Sequence, residues 1–155
     1  MEDSARIFRL RVLLCFLRFV PSDCTVTAIA RTLGEEKYSV SRAIASLEKE
    51  GYIDRTDARN PLLTEKGYMV ARHYSERLEI TLNHLLYEGV DMESAKKDAF
   101  VWALCCTDST MEAIRATEER YRVKYELRDQ KQFTRATATI KPSIIGRILQ
   151  KTARR

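Results

Sequence analysis

Residues Val26 to Gly67 constrain this chain more than any other stretch. Val26, Ile29, Ala30 and Leu33 recur at i, i+3, i+4 and i+7 and share one face of a short amphipathic helix, which Gly34 stops. Val40, Ala43, Ile44 and Leu47 repeat the spacing after a few polar residues, and Gly51 ends that second helix. Tyr52 to Arg55 and Pro61 to Thr64 then read as two short strands around the polar tip Thr56-Asp57-Ala58-Arg59-Asn60. Thr64 is placed to cap the next helix, with Glu65 near the positive end of its dipole. Helix, Gly-containing turn, helix, hairpin and helix, in that order, spell a winged helix-turn-helix.

In such a fold the second helix presents its outward N-terminal side chains to the DNA major groove. Here these are Lys37, Tyr38, Ser39, Ser41 and Arg42, with Arg55 and Arg59 flanking the wing. Lys and Arg suit phosphate or guanine, and Tyr and Ser reach backbone or base edges. The bland alternative is a solvated amphipathic helix in a protein-interaction module. Between Arg31 and Lys66 seven basic residues face seven acidic ones, so phosphate affinity must come from the arrangement of charge, not its sum.

The flanks set the domain plan. Ala5 to Phe19, with Ile7, Leu10, Leu13, Leu14 and Leu17, predicts a support helix that Pro21 ends. Glu65 to Glu88 predicts one long helix, stopped by Gly89, of about 36 Å at about 1.5 Å per residue, longer than a wing domain needs. Asp91 caps a helix from Met92 to Cys106, whose apolar face is Ala95, Ala99, Trp102, Ala103 and Cys106, and Asp108 or Ser109 opens a short helix with Met111, Ile114 and Ala116. Tyr121, Val123, Tyr125 and Leu127 then alternate with charges and predict a strand, with Phe133 to Ile140 as its return, unless the preceding helix continues through Glu118 and Glu119 first. Pro142-Ser143 opens a last helix holding Ile144, Ile145, Ile148 and Leu149. The fold class is therefore mainly α: a winged helix-turn-helix over residues 1–67, a linker helix and helical dimerisation region over 68–116, and a basic C-terminal extension over 117–155 with a possible β-hairpin.

Charge follows the same division. Residues 1–116 carry 16 Lys and Arg against 18 Asp and Glu, whereas residues 117–155 carry 11 against 4, so the extension holds the whole excess behind the net +5. It could touch DNA beside the head or be a solvated end. No apolar run approaches the roughly 20 residues that cross a bilayer, and a cytoplasmic protein without a membrane partner is expected. Cys15, Cys24, Cys105 and Cys106 lack Cys-x-x-Cys spacing and read as reduced, half-buried residues. No nucleophile triad, paired-carboxylate motif or phosphate loop points to an enzyme.

From Ile7 to Ala116 the order of elements, with IARTL, SVSRAIASLEKEGYI, LLTEKG and EGVDMESAKKDA, resembles the diphtheria toxin repressor and manganese transport regulator family. The resemblance implies a homodimeric repressor that binds operator DNA when Mn(II) or Fe(II) is bound. LTEKG after a wing also occurs in multiple-antibiotic-resistance regulators, which respond to small ligands. Aligned on Gly89-Val90-Asp91, the family's metal ligands fall on Leu78 and Leu82 of the linker helix and on Phe100, Ala103 and Leu104 of the next one, and its N-terminal carboxylates fall near Arg9 and Val12. None of these side chains holds a metal, so no cofactor is predicted and the effector is left open. A substitute site would have to use His84 and Glu88, six residues late, with Cys105 and Cys106.

Overall fold

A computed structural model describes residues 2–128. In chain order it contains α1 (Glu2–Arg18), a 3-10 turn (Pro21–Asp23), α2 (Val26–Leu33), α3 (Lys37–Lys49), β1 (Ile53–Asp54), β2 (Leu62–Leu63), α4 (Glu65–Tyr87), α5 (Met92–Cys105) and α6 (Asp108–Arg128). Backbone contacts divide the chain into two units that part between Glu76 and Arg77, inside α4 and not at its start. None of the described helices is long and apolar enough to cross a membrane.

In the first unit the apolar residues of α2 and α3 meet α1. Val40, Ala43, Ile44 and Leu47 of α3 are all buried, as their spacing predicts, with Ile29 and Ala30 of α2. Helix α1 contributes more than its predicted stripe: Val12, Cys15 and Phe16 are buried beside Leu10 and Leu13, while Ile7, Leu14 and Leu17 are only half-buried. The helix has neighbours on more than one side, since α2, α3 and β2 all pack on it. Burying a side chain of this size stabilises by about 1.5–3 kcal/mol, so this cluster, which also takes in Ile53 and Ala71, holds the head together.

The turn between α2 and α3 depends on Gly34 at φ 67°, a left-handed cap that lets the Glu35 N–H donate to the Ala30 carbonyl at 3.0 Å. Strands β1 and β2 pair antiparallel, Ile53 opposite Leu63 and Asp54 opposite Leu62. Thr64 caps α4 as expected: its Oγ1 accepts from the Gly67 N–H at 3.0 Å and its hydroxyl donates to the Gly51 carbonyl at 2.6 Å. Gly67 is required for space. A Cβ there would lie 1.9 Å from the Tyr52 carbonyl oxygen, so the wing closes on α4 only where there is no side chain.

The second unit packs α4, α5 and α6 through Leu78, Leu82, Leu85, Ala95, Ala99, Ala103, Met111 and Ile114. Ala95, Ala99 and Ala103 recur every four residues, and the bulk between helices comes from the leucines of α4. Asp91 caps α5 through the Ser94 N–H at 2.9 Å. One prediction fails here: residues 121–127, expected as a strand, continue α6 to Arg128. No Gly or Pro interrupts 108–128, and each further helical residue adds a backbone hydrogen bond without needing a partner strand. The expected return strand Phe133–Ile140 and the last helix lie outside the described residues.

Candidate nucleic-acid interface

Helix α3 is presented from the head by its buried face, and its opposite face carries the predicted contact residues. Lys37 and Arg42 are exposed, and Tyr38 is 69% exposed. The Arg42 guanidinium lies 5.8 Å from the centre of the Tyr38 ring, a cation–π contact one turn apart on the helix surface. Ser39 and Ser41 are half-buried, which leaves them secondary on this face. The first turn has no side-chain cap, since Glu36 makes none, so its amides stay open beside Lys37.

The even count of charges in this stretch resolves into an uneven arrangement. Arg11 from α1 pairs with Glu35 at 3.3 Å and donates to the Leu33 carbonyl, Arg9 from α1 pairs with Glu50, and Arg55 pairs with Glu48 at 3.6 Å. Three glutamates are thereby neutralised, two of them by arginines from outside the stretch. Lys66 donates to the Glu50 carbonyl at 2.8 Å and sits over the Tyr52 ring. Among the described residues, Arg31, Lys37, Arg42 and Arg59 form no ion pair, and all four are exposed. Each surface pair contributes little to stability, about 0–1 kcal/mol, but together they remove negative charge around α3 and leave the cations outward.

Arg55 is the predicted contact that is placed differently: it is half-buried and faces Glu48 of α3. Arg59 is exposed at the wing tip, where Asp57 Oδ1 accepts from its backbone N–H at 2.9 Å. Asp54 accepts from both the N–H and the hydroxyl of Thr56, and these hydrogen bonds hold its carboxyl below its usual range. Arg31, in the last turn of α2, was not among the predicted contacts. Its signal was available, as a long basic side chain on the polar side of a helix that the turn brings near α3.

Residues 9–61 match the model of the MarR family. The match runs from α1 to the edge of the wing, a winged helix-turn-helix of the regulator type. Among curated proteins the chain is similar to the Transcriptional regulator MntR of Escherichia coli O6:H1 (strain CFT073) and to that of Escherichia coli O157:H7, at 29% identity over 96 residues. That stretch covers 62% of this chain and 62% of each relative, so the chain spans less than two thirds of their length.

The positions onto which the resemblance to metal-dependent repressors places ligands are filled by packing. Leu78 is 1% exposed, Leu82 6% and Ala103 0%, with Phe100 and Leu104 half-buried. The four residues of the substitute site do not assemble: among the described residues no three His, Cys, Asp or Glu side chains converge. His84 instead lies 6.2 Å, ring to ring, from Trp102, and Glu88 is exposed beyond the end of α4.

Sequence reasoning missed the most buried charge in the second unit. The Arg77 side chain is 7% exposed; its Nε donates to the Ala103 carbonyl at 2.7 Å, its Nη2 to the Cys106 carbonyl and its Nη1 to Asp108 at 2.7 Å. One guanidinium therefore satisfies carbonyls at the end of α5 and the first side chain of α6. From sequence, Arg77 is one cation among several on α4, and only the fold shows the corner it fills.

Proposed function

We propose that this chain is a sequence-specific, homodimeric DNA-binding transcription regulator, a repressor that works without a bound metal. The observation that carries the reading is the sorting of charge around α3: three glutamates, Glu35, Glu48 and Glu50, are paired with arginines, while Lys37, Arg42, Arg31 and Arg59 stay exposed and unpaired. Helix α3 enters the major groove, its open first-turn amides and Lys37 take phosphate, and the wing holds the flanking backbone through Arg59. Arg42, in cation–π contact with Tyr38, reaches base edges, where a guanidinium fork suits guanine O6 and N7. The similarity to the Transcriptional regulator MntR and the MarR match both support a regulator.

Metal independence rests on Leu78, Leu82 and Ala103, three side chains without donor atoms buried in core positions. A second reading, a ligand-responsive regulator of the MarR type, is favoured by the match over residues 9–61 and differs in its effector, a small molecule of unassigned structure that releases DNA.

The test is binding to a pool of random duplexes followed by selection. A regulator enriches a motif containing guanine, with affinity that falls steeply as salt rises. Lys37→Glu combined with Arg42→Glu abolishes the shift, and Arg42→Ala alone weakens the selected site about tenfold or more while leaving weak non-specific binding. A folded protein that shifts no duplex at low salt is an interaction module. Addition of Mn(II) or Fe(II) leaves the affinity unchanged; a rise of tenfold or more removes the metal-independent part.

A further inference from the structure

The four cysteines fall into two chemical classes. Cys15 and Cys24 are buried in the head, and burial pushes both thiols up, Cys15 to about 11. Thiols that stay protonated neither attack nor ligate, because the thiolate is the reactive form. Cys105 and Cys106 lie nearer the surface. They are adjacent in the chain, Cys105 is exposed and Cys106 half-buried, and they stand where α5 ends.

This corner is held firmly. The Cys106 N–H donates to the Trp102 carbonyl at 2.9 Å as the last bond of α5, and the Cys106 carbonyl accepts from the buried Arg77 guanidinium, which also grips Ala103 and Asp108. Two thiols on a fixed backbone bind a shared centre with less loss of freedom than two thiols on a mobile loop. Among the described residues no third His, Cys, Asp or Glu joins them in a cluster. A tetrahedral zinc site needs four ligands, and oxygen-seeking cations need carboxylates, so neither is served here. Soft thiolates select a soft centre, and a pair of thiols fills the two exchangeable positions of a trivalent arsenical that carries one carbon substituent.

The geometry points to Cys105 and Cys106 as a bidentate thiol site for a trivalent arsenical. In the binding step two As–S bonds replace two As–O bonds; each thiol proton leaves with a hydroxide as water, and arsenic stays trivalent, so no oxidant or reductant takes part. The chelate straddles the peptide whose neighbouring carbonyl Arg77 holds, and loading therefore acts on the α5–α6 corner.

The probe is phenylarsine oxide, added to the full reduced chain and followed by desalting against an excess of monothiol, which strips single-thiol adducts and leaves chelates. Intact mass is expected to show one phenylarsenic group per chain, with the two thiols that a thiol-reactive dye reaches under native conditions both lost to it. Cys105→Ser and Cys106→Ser, each checked for native helix content by circular dichroism, are each expected to retain at least tenfold less arsenical. Should Cys106→Ser disturb the corner, Cys106→Ala supplies the same readout at a half-buried position. Retention by the Cys105→Ser, Cys106→Ser double variant overturns the assignment, as does loss of the adduct from the parent chain at the monothiol wash.

Discussion

The winged head and the α4–α6 unit use the guanidinium group in opposite ways. In the head the arginines stay at or near the surface: Arg42 lies on an exposed tyrosine, and Arg9, Arg11 and Arg55 each reach a glutamate that is itself partly exposed. In the second unit Arg77 is drawn inside and closes the corner between α5 and α6. A surface pair is screened by water and mainly shapes the outward field, whereas a buried fork leaves stranded carbonyls if it is removed. Charge in the head thus lies at the surface, and charge in the second unit is built into the fold.

The contrast is broken most directly at Arg77. Arg77→Leu leaves the Ala103 and Cys106 carbonyls without a donor and is expected to cost about 4 kcal/mol in urea unfolding. Arg77→Lys should recover less than half, because a single ammonium cannot span both carbonyls and Asp108. An Arg77→Leu chain as stable as the parent would make the fork incidental.

In the head the comparable loss comes from space. Gly67→Ala drives a methyl into the Tyr52 carbonyl and is expected to cost about 3 kcal/mol, whereas Gly34→Ala, with nothing within 4 Å, costs only the left-handed backbone, about 1 kcal/mol. Equal losses at the two glycines would mean that the Tyr52 carbonyl gives way and that close approach does not govern Gly67.

The head should also show a distinct alkaline limit. The folded state holds the Cys15 proton more tightly than the unfolded chain, so the unfolded state binds fewer protons between the thiol's ordinary value of 9.0 and about 11. Stability is intact below this window and falls across it by on the order of 2 kcal/mol. Cys15→Ala starts from a lower baseline but loses that part of the slope, as unfolding midpoints at pH 8.5 and 11 would reveal. The smallest effect belongs to the surface: Glu48→Gln frees Arg55 and removes a negative charge from α3, raising duplex affinity about threefold at low salt.

What the sequence made legible was local and periodic. The faces of α2 and α3, the caps at Thr64 and Asp91 and the stops at Gly34, Gly51 and Gly89 each rest on residues a few positions apart, and each lies where the spacing predicts. The paired strands are the centres of the expected runs. What was not legible depends on long-range contact. Helix α1 buries Val12, Cys15 and Phe16 because several elements pack on it, and a one-sided pattern cannot anticipate that. Gly67 looks like a poor helix residue until the Tyr52 carbonyl is seen against it. The alternation Tyr121 to Leu127 suggested a strand, but neither Gly nor Pro interrupts the stretch, and α6 continues through it. On α3 and the wing, Lys37, Arg42 and Arg59 are exposed, as the helical spacing and the polar tip imply, while the pairing of Arg55 with Glu48 and the neutralising role of Arg9 and Arg11 span too much sequence to be counted from composition.

Trp102 is the only tryptophan in the chain, half-buried on α5 with the His84 ring beside it, while the head's fluorescent side chains are tyrosines and phenylalanines. Indole emission is therefore a beacon for the α4–α6 unit and is blind to the wing. A denaturation curve recorded in that light belongs to one unit, and any lag between it and the far-ultraviolet helix signal is a direct reading of how separately the two halves of the chain melt.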